Sequence, residues 1–589
     1  MKKNLTIKEI FDLAVEHHKK NNFKVAENLY RDILKLQPNH FDTIYLLGSL
    51  SLQNKDFNNA KQLLQKAIKI NSNHADAHNN LGIAFAELKE REKAINCFEN
   101  VIKIQPKNAA AFNNLGTECK NLGKFKEAVN FYQKAIDIKP NYAIALHNLG
   151  LVFETLGELQ KAKVYYEKAI DIQPNDAVSY NNLGVVFNEM GELQKAQSCY
   201  QKAIKIQPNF GQAHSNLGLK YKALGEREKA IKCFEKATKC ESKKLVHFYY
   251  LSELKKEILN TNLKNKIIDV IKKDNPEKSD SAYGNFLLSK YEREIKNYEK
   301  ELNYLLRGHL YYFEIKKGKF ATDVNEWLNV LPKITKLINL DKSDNNIKKI
   351  NEKIKPIFLI GVPRCGSTLV EKIIASGAKY IPVGEETTII HEFLRHKILN
   401  NDSSNLDKEN FQKKIIENYM KRGLIQKKSN YTFTDKSLEN FFYVNLIKEI
   451  FPYAKVINCR RNTLSSIMSI FQNNLTALAW THDLENIFKY FNNYFEIINN
   501  FNKVDSNFIY ELEYEKLVNE PEKEAKKLMK FCGLPWDKKC LEFYKRKDLI
   551  SRTASNIQIK EPIYKDSLNK YLPYKKFLNK YGKKYSWFN

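Results

Sequence analysis

A repeat of 34 residues runs through the first part of this chain and restricts its fold more than any other feature of the sequence. A Leu-Gly pair marks the same point of each copy, with the leucines at Leu47, Leu81, Leu115, Leu149, Leu183 and Leu217. Alanines keep the same register at Ala60, Ala94, Ala128, Ala162, Ala196 and Ala230, and prolines at Pro38, Pro106, Pro140, Pro174 and Pro208. Small residues let two antiparallel helices approach closely, and proline suits the start of a helix, where its missing N–H costs nothing. We therefore expect one helix pair per repeat.

This pattern resembles the tetratricopeptide repeat. About seven copies fit between residues 5 and 242, the first of them degenerate, with Leu13 and Ala14 in the Leu-Gly position. The resemblance implies an all-α, right-handed solenoid with a concave face, because each helix pair buries its apolar side only against its neighbours. Such a surface is typical of protein binding, so we predict a protein or peptide partner for it.

An asparagine stands directly before the leucine in five copies, at Asn80, Asn114, Asn148, Asn182 and Asn216. In a tetratricopeptide unit this position faces the groove, where an amide can donate to and accept from an extended peptide backbone. The series resembles the asparagine ladder of the O-linked N-acetylglucosamine transferase solenoid. The alternative is that asparagine is only a repeat consensus in an Asn-rich chain, and both interpretations stay open at the level of sequence.

Beyond the repeats the chain changes character twice. Residues 243–350 are charged and retain helical Leu and Tyr spacing, which is typical of degenerate repeats that cap a solenoid. Residues 340–355 are polar without a periodic apolar face and form the best linker candidate. We therefore divide the chain into a repeat solenoid at 1–242, degenerate helical repeats and linker at 243–350, and a second domain at 351–589.

The net charge of +29 does not by itself indicate nucleic acid binding. Twelve of the 97 basic residues are Arg, and the remaining 85 are Lys spread along nearly every segment with abundant Asn and Ile. This distribution indicates a coding bias and a solvated surface, so we expect no nucleic-acid partner. No run approaches the roughly 18 apolar residues of a membrane helix, so we expect no integral membrane segment.

The nine cysteines show neither CxxC pairs nor the dense spacing of a disulfide scaffold. They are typical of buried thiols in a reducing compartment. Near the N-terminus, Glu9, Asp12 and Glu16 interrupt the apolar core that a signal peptide would need. A cytoplasmic location is the expectation.

At residue 356 the sequence PIFLIGVPRCGSTLVEKIIASG predicts a strand, a glycine-containing loop and a helix. The strand covers Ile357–Ile360, the loop Gly361–Gly366 and the helix Ser367–Ser376. Backbone N–H groups and the positive end of the helix meet in such a turn, which makes it an anion site. Arg364 stands in a loop that lacks the Lys of the GxxxxGK[ST] motif, so a P-loop kinase is disfavoured.

A second strand and turn follow in AKVINCRRNTLSSIMSIF. Lys455–Cys459 is the predicted strand, and Arg461 and Ser469 lie eight residues apart across the turn, where both could hold one phosphate. Two phosphate-binding strand ends in one α/β domain indicate a ligand with phosphates at two ends, such as a nucleotide with 5′ and 3′ groups.

Together, GVPRCGST and CRRNTLSSIMS resemble the phosphosulfate and 3′-phosphate motifs of sulfotransferases that use 3′-phosphoadenosine-5′-phosphosulfate (PAPS). The resemblance covers about residues 355–589, with further matches at VGEETTII, TDKSLENFF, YEKLVNEP, FCGLPWD and RTASNIQIKEPIYKDSLNKY. The chain is similar to the bacterial tetratricopeptide-repeat sulfotransferases and, at motif level, to the tyrosylprotein sulfotransferases. The fold class it implies is α plus α/β: an all-α solenoid followed by a P-loop-like sulfotransferase domain with a parallel sheet.

The resemblance also implies catalytic roles. Glu386, the second Glu of GEET, is the expected general base, with Glu385 beside it. Lys436 lies 25 residues before Arg461, as the catalytic lysine of the tyrosylprotein enzymes does, and would donate to the leaving oxygen. Ser555 takes the position of the transition-state serine, and Arg364 would contact the sulfuryl oxygens or the acceptor. His391 is the reserve candidate for the base, because some cytosolic sulfotransferases use histidine.

The co-substrate contacts implied by the resemblance are Arg364, Cys365, Gly366, Ser367, Thr368, Arg461, Ser469, Tyr514 and Lys570. The loop from 364 to 368 would hold the 5′-phosphate through the Ser367 and Thr368 hydroxyls. Arg461, Ser469 and Lys570 would hold the 3′ end, and Tyr514 would lie near the adenosine. The 12 His form no HxH or HExxH cluster, so we expect no metal.

The expected activity is PAPS-dependent transfer of a sulfuryl group to an acceptor hydroxyl, with adenosine 3′,5′-bisphosphate as the product. Protein tyrosine is one candidate acceptor. However, Thr388 stands where the tyrosylprotein enzymes carry an Arg that contacts acidic peptide, which places acidic-tyrosine specificity in question. A glycan, lipid or small-molecule acceptor is the enzymatic alternative, and a repeat scaffold with an inactive second domain is the non-enzymatic one.

Overall fold

The computed structural model describes residues 6–273, 276–333, 354–399, 407–425, 432–505, 508–546, 562–563 and 569–588. By its internal contacts the chain divides into two units, Met1–Asn216 and Leu217–Asn589. Within the described ranges, every helix is too short or too polar to cross a lipid bilayer.

The repeats fold as helix pairs, as the 34-residue period predicts. Their helices are α1 (Ile7–Lys19), α2 (Phe23–Leu36), α3 (Phe41–Gln53), α4 (Phe57–Ile70), α5 (Ala75–Glu87), α6 (Arg91–Ile104), α7 (Ala109–Asn121), α8 (Phe125–Ile138), α9 (Ala143–Thr155), α10 (Leu159–Ile172), α11 (Ala177–Glu189), α12 (Leu193–Ile206), α13 (Gly211–Ala223) and α14 (Arg227–Cys240). The N-terminal helical tetratricopeptide solenoid is thereby confirmed.

The glycine of each Leu-Gly pair lies beneath an aromatic or apolar side chain of the second helix. A Cβ on Gly82 would lie 2.5 Å from Cε1 of Phe98, and a Cβ on Gly116 would lie 2.7 Å from Cδ1 of Tyr132. The alanine of the second helix, such as Ala128, is fully buried. Small residues therefore permit the close helix contact that the sequence predicted.

The repeat prolines do not begin helices, so that part of the prediction is wrong. Pro106 lies in the turn after α6, and α7 begins only at Ala109. The cap of α7 is Asn108, whose side chain accepts from the backbone N–H of Ala111 at 3.0 Å. Proline therefore stops the preceding helix, which it cannot continue, and leaves the next N-terminus to a capping side chain.

The second unit continues with five more helices before its sheet. They are α15 (Leu245–Ser252), α16 (Thr261–Ile271), α17 (Lys278–Glu294), α18 (Tyr298–Ile315) and α19 (Lys317–Asn325), followed by a π-helical turn at Glu326–Val330. Buried residues of these helices, among them Leu245, Phe286 and Leu305, belong to the same hydrophobic core as Phe358 of the sheet. Residues 243–333 thus contribute to the core of the sheet-containing unit. The domain boundaries at 242 and 350 stay predictions.

Five parallel strands form the sheet in the order β2-β3-β1-β4-β5. Their bounds are β1 (Lys355–Gly361), β2 (Val383–Glu385), β3 (Thr432–Lys436), β4 (Lys455–Arg460) and β5 (Ile509–Glu513). β1 is apolar and buried after its first residue, as expected for a central parallel strand. The predicted parallel-sheet domain is confirmed.

Helices and short 3₁₀ segments connect and flank these strands. The helices are α20 (Ser367–Ala375), α21 (Ile389–Leu399), α22 (Lys408–Lys421), α23 (Val444–Ile450), α24 (Thr463–Phe471), α25 (Leu484–Val504), α26 (Tyr514–Asn519), α27 (Pro521–Phe531) and α28 (Lys575–Gly582). The 3₁₀ segments are Lys256–Ile258, Leu331–Lys333, Leu438–Tyr443, Ala479–His482, Lys538–Lys545, Leu572–Tyr574 and Ser586–Phe588.

The sheet order places β1 between β3 and β4. The chain runs from β1 to the edge strand β2, back to β3, and then across β1 to β4, so the strand order reverses at β1 and a crevice opens beyond the carboxyl ends of β3, β1 and β4. In open α/β sheets this is the usual position of a ligand site. The segments that follow β1, β3 and β4 carry most of the predicted site residues.

Candidate active site

The loop between β1 and α20 has the backbone of an anion site. Arg364 and Gly366 have positive φ angles of 68° and 96°, in the left-handed region. A Cβ on Gly366 would lie 2.4 Å from Cδ2 of Tyr514, so only glycine fits beneath that ring. Ser367 and Thr368 begin α20 and are buried. The loop thus directs backbone and hydroxyl donors to one place at a helix N-terminus.

Cys365 of this loop is directed into the protein. It is 1% exposed, as is Cys459 at the end of β4. A hydrogen bond with the Cys459 thiol lowers the pKa of Cys365, and the same bond raises the pKa of Cys459. The backbone N–H of Cys365 donates to the carbonyl of Val362 at 3.2 Å. Cys365 therefore stabilises the loop through its thiol contact with Cys459 and its backbone bond to Val362.

Lys436, the last residue of β3, lies buried beside this loop with 2% exposure. Its Nζ donates to Glu385 Oε1 at 2.5 Å and to Thr368 Oγ1 at 3.3 Å. The same Nζ lies 2.9 Å from Oε2 of Glu371 on α20. Burial acts to lower the pKa of Lys436, but Glu371 and Glu385 outweigh it and raise that pKa above its ordinary value. Lys436 is therefore a protonated side chain held at the phosphate loop.

The segment after β2 presents Glu386 at the mouth of the crevice. Glu386 is exposed, and its backbone N–H donates to the carbonyl of Lys436 at 3.2 Å. Glu386 and Thr388 have positive φ angles of 50° and 51°, which are uncommon for side chains other than glycine. Such a conformation persists only where the surroundings impose it.

Asp435 supplies that constraint. It is fully buried and its carboxylate accepts from Thr387 Oγ1 at 2.8 Å and from Tyr419 OH at 2.5 Å. It also accepts from the backbone N–H of Ser437 at 3.1 Å. Burial raises the pKa of Asp435, while these hydrogen bonds act to lower it. Asp435 thereby ties the segment that carries Glu386 to the strand that carries Lys436.

The loop after β4 contributes the second predicted phosphate site. Arg461 Nη1 donates to the carbonyl of Arg364 at 3.3 Å, and Arg364 Nε donates to Ser469 Oγ at 3.0 Å. The Arg461 guanidinium lies 5.0 Å from the ring centroid of Tyr514. Four residues that the resemblance assigned to PAPS thus meet, and the Arg364 side chain bridges from the phosphate loop to α24.

The predicted site residues fall into three groups by position. One group lies around the carboxyl ends of the five strands and comprises Glu386, Lys436, Arg364, Cys365, Gly366, Ser367, Thr368, Arg461, Ser469 and Tyr514, the last of which directly follows β5. Lys570 lies in an exposed turn shortly before the 3₁₀ segment Leu572–Tyr574. Ser555 lies outside the described residues. The roles given to all of these residues stay predictions.

His391, the reserve candidate for the base, is held on both sides by other residues. Its Nδ1 lies 2.7 Å from Tyr443 OH, and its Nε2 lies 3.4 Å from Oε1 of Glu326 in the π-helical turn. Its ring stacks on Trp327 with centroids 5.5 Å apart. Both ring nitrogens have protein partners, which is an arrangement typical of a structural histidine.

Sequence reasoning missed Glu371 and Asp435. Glu371 is fully buried and bridges α20 to β3, since its Oε1 accepts from Thr434 Oγ1 at 3.1 Å. The signal was present in TLVEKIIA, where a charge interrupts an otherwise apolar helix face. A charged residue in such a place is almost never buried without a partner, so it indicates an ion pair.

The asparagine ladder of the first unit joins successive repeats. Asn114 Nδ2 donates to Asn79 Oδ1 at 3.2 Å, and Asn148 Nδ2 donates to Asn113 Oδ1 at 3.0 Å. Asn216 repeats this contact with Asn181 at 2.9 Å, and Asn80 donates to Ser49 Oγ at 3.0 Å. Each of these amides, like that of Asn182, is partly exposed. The ladder therefore has a structural role between repeats, and its predicted contact with a peptide stays a prediction.

Comparison with protein families assigns both parts of the chain. Residues 356–538 match the model described as sulfotransferase family. Tetratricopeptide repeat models match residues 11–75, 51–118, 118–157, 143–176, 177–210 and 211–243. The predicted combination is thus found: a match to the sulfotransferase family follows a series of tetratricopeptide repeats.

Among individual proteins, an uncharacterized protein of Aquifex aeolicus is 30% identical over 321 residues, which are 51% of this chain and 41% of that protein. The chain therefore spans less than half the length of this relative. Protein-tyrosine sulfotransferase 1 of Danio rerio is 24% identical over 253 residues, 38% of this chain and 67% of that enzyme. Among solved structures, MamA is 31% identical over 28% of this chain and 96% of its own, with a TM-score of 0.26.

Proposed function

We propose that this chain, which carries a sulfotransferase-family domain behind tetratricopeptide repeats, is a PAPS-dependent sulfotransferase that modifies an acceptor hydroxyl. One observation carries the proposal. The phosphate loop has no Walker lysine, but Lys436 reaches it from β3 through Thr368, and Arg364 of the loop itself bonds Ser469 of α24. Arg364 and Lys436 thus supply the positive charge that the motif lysine of GxxxxGK[ST] supplies in a P-loop kinase.

The donors around the loop fit a nucleotide with two phosphorylated ends. Arg364 and Arg461 provide planar guanidinium donors, which suit phosphate and sulfuryl oxygens. The start of α20 adds backbone N–H groups and the hydroxyls of Ser367 and Thr368. The Tyr514 ring, which covers Gly366, offers an apolar face next to these donors. No group of three or more His, Cys, Asp or Glu within the described residues could hold a metal ion.

PAPS supplies an activated sulfuryl group and leaves as adenosine 3′,5′-bisphosphate. In the proposed mechanism the loop residues and Ser367 hold the 5′-phosphate, while Arg461 and Ser469 hold the 3′-phosphate. Lys436 donates a proton or hydrogen bond to the leaving oxygen, where negative charge develops. Glu386 accepts the proton of the acceptor hydroxyl, and its exposure at the crevice mouth supports access by that acceptor. Ser555 and Lys570 keep the roles implied by the resemblance.

The acceptor is proposed to be protein tyrosine or another hydroxyl, such as that of a glycan, lipid or small molecule. The protein-tyrosine sulfotransferase relative supports tyrosine. Thr388 favours the alternative, because it stands where the tyrosylprotein enzymes carry an Arg that contacts acidic peptide, and its hydroxyl donates to the Glu392 carboxylate at 2.6 Å. The repeats would recruit a protein or peptide substrate. The nine cysteines are free in the structure, and the proposed location is a reducing compartment such as the cytoplasm.

The test is transfer of labelled sulfate from PAPS into a cell lysate, followed by separation into protein and small-molecule fractions. Labelled protein that releases tyrosine sulfate on hydrolysis would support the tyrosine acceptor, and label in small molecules would support the alternative. Calorimetry with adenosine 3′,5′-bisphosphate measures the nucleotide site separately. A wild-type chain that binds neither nucleotide would overturn the proposal and leave the repeat scaffold with an inactive domain.

Substitutions of two exposed glutamates, Glu386 and Glu392, test whether Glu386 is the general base. We expect Glu386→Gln to lower transfer by about 10²- to 10⁴-fold, the usual contribution of a general base, with little change in nucleotide affinity. Glu392→Gln is the matched control, because Glu392 is exposed on the adjoining α21. Full activity of Glu386→Gln would exclude Glu386 as the base.

A further inference from the structure

The Lys436 ammonium is surrounded by more negative charge than its predicted role requires. Two carboxylates approach it from different elements, Glu371 from α20 at 2.9 Å and Glu385 from β2 at 2.5 Å. Glu371 is fully buried, and the side chain of Glu385 is 7% exposed. Removing three charged groups from water is expensive, so an arrangement of this kind persists only where the geometry compensates.

Glu371 is fixed from both sides. It lies in the middle of α20, and its Oε1 accepts from Thr434 Oγ1 on β3. Because Lys436 is two residues beyond Thr434 on the same strand, this hydrogen bond orients the other carboxylate oxygen toward Nζ. Glu385 belongs to the edge strand β2 and lies opposite Lys436 in the sheet register. Of the two, Glu371 is the more rigidly placed.

We infer that Glu371 is a positioning residue that, together with Glu385, keeps Lys436 protonated and in place at the phosphate loop, while the Thr368 hydroxyl yields to the co-substrate. This inference rests on the proposed function for its mechanistic meaning. The contact of Lys436 with Thr368 is the longest of the three, at 3.3 Å, and joins a cation to a neutral group. Only the two carboxylates attract the ammonium by opposite charge, whereas the Thr368 hydroxyl is neutral, so the carboxylates hold Lys436 while Thr368 turns toward a phosphate.

The other charged groups nearby leave this assignment intact. Lys372, the next residue on α20, is 1% exposed and its charge acts on Glu371. The buried thiols of Cys365 and Cys459 lie on the loop and on β4, and the charges of Lys436 and Glu371 both act on Cys459. Asp435 precedes Lys436 in β3 and faces Tyr419 and Thr387 instead. Among these described groups, Glu371 and Glu385 are the two that raise the pKa of Lys436.

The test measures the protonation of Lys436 directly in the full chain. Acetic anhydride at trace level modifies deprotonated amines, and mass spectrometry of peptides resolves Lys436 from other lysines. The pH of half-maximal labelling rate is then compared with that of exposed lysines such as Lys19. We expect Lys436 to label at a higher pH than these in the wild type, and Glu371→Gln to lower its value by at least about one pH unit.

Two further variants separate charge from structure. Glu301→Gln also neutralises a fully buried carboxylate, one that bonds Arg293 at 2.7 Å and Tyr574 at 2.7 Å, and should leave the Lys436 labelling pH unchanged. Glu371→Asp retains the charge on a shorter side chain and should give a value between those of the wild type and Glu371→Gln.

An unchanged labelling pH in Glu371→Gln would overturn the inference. If that variant does not fold, the wild-type measurement decides, because a value for Lys436 at or below that of exposed lysines would equally overturn it. Labelling needs neither co-substrate nor acceptor. Failure of the wild type to bind PAPS would therefore remove the proposed function without altering what labelling reveals about Glu371.

Discussion

The repeat unit and the sheet-containing unit draw their essential contacts from very different spans of chain. In the repeat unit, Gly116 and Tyr132 meet within one helix pair, and the ladder contacts join neighbouring repeats 35 residues apart. In the second unit, Arg364 reaches Ser469 across 105 residues, and Thr434 reaches Glu371 across 63. The first unit repeats one local solution, whereas the second assembles its site from segments that are remote in sequence.

This difference predicts how far the effect of a destabilising substitution should extend in each unit. A repeat array behaves as a sum of local units and nearest-neighbour interfaces, so a defect should stay local. A site of coupled buried charges loses several contacts when one member is removed. The four tryptophans, Trp327, Trp480, Trp536 and Trp587, all lie in the second unit. Tryptophan fluorescence therefore follows that unit alone, and far-ultraviolet circular dichroism follows both.

The largest effect is expected at Lys436. Lys436→Met leaves the buried carboxylates of Glu371 and Glu385 without their ammonium partner, which costs about 3–5 kcal/mol of unfolding free energy. Denaturant unfolding followed by tryptophan fluorescence should show this loss, and sulfuryl transfer should fall at least about 100-fold. Adding Glu371→Met should recover part of the stability, because it removes one unpaired charge. A fluorescence midpoint equal to that of the wild type would contradict the ion-pair account.

The corresponding change in the repeat unit is Gly116→Val. Its Cβ would lie 2.7 Å from the Tyr132 ring, and overpacking of this kind costs about 1–3 kcal/mol. We expect an early loss of helical signal by circular dichroism with an unchanged fluorescence midpoint. Lys126→Val, on the exposed face of α8, is the control and should leave both signals near wild type. A shift of the fluorescence midpoint would show that the two units do not unfold independently.

A buried histidine pair should make the second unit sensitive to acid. Nδ1 of His309 on α18 lies 2.9 Å from Nδ1 of His482, and burial lowers their pKa values to about 4 and about 3. Both are neutral in the fold, whereas an unfolded histidine titrates near pH 6.5. Stability is therefore complete above about pH 6.5 and is lost as the pH falls toward 4. Between pH 7 and 5 the loss should be about 2 kcal/mol per histidine.

The measurement is the fluorescence-detected unfolding free energy at pH 7 and pH 5. His309→Gln should lower stability at pH 7 but give a shallower pH dependence, since one of the two groups no longer titrates. A variant with the slope of the wild type would show that other groups cause the acid sensitivity.

The smallest effect is expected in a repeat turn. Lys89 has a φ of 62°, while the same turn position in later repeats is Gly, as at Gly123 with a φ of 78°. A left-handed conformation costs a non-glycine residue about 1–2 kcal/mol, part of which is offset by the greater entropy of an unfolded glycine. Lys89→Gly should therefore raise the thermal midpoint slightly by circular dichroism, and Gly123→Lys should lower it. Effects of the reverse sign would contradict the strain argument.

The sequence was sufficient for most of the fold. A fixed period of 34 residues predicted the helix pairs, and apolar runs before PRCGST and RRNT predicted β1 and β4 to within two residues at each end. The prolines were misplaced, because a helix stop and a helix start are both compatible with proline near a boundary. The site was predicted only as far as residues that carry a motif. Glu371 and Asp435 were not predicted, because the contacts that give them a role, Glu371 with Lys436 and Asp435 with Thr387, join segments that are far apart in the sequence.

By itself, the sequence determined the repeat architecture, the parallel-sheet domain and the set of candidate donors, because each depends on local periodicity or on residues close together in the chain. Only the tertiary structure decided which charges meet. Buried ions are stable only with partners at contact distance, and β3, α20 and β2 bring Lys436, Glu371 and Glu385 together only when the sheet forms. Likewise, ladder asparagines such as Asn114 and Asn148 gained their partners, Asn79 and Asn113 of the preceding repeat, only when the repeats stacked.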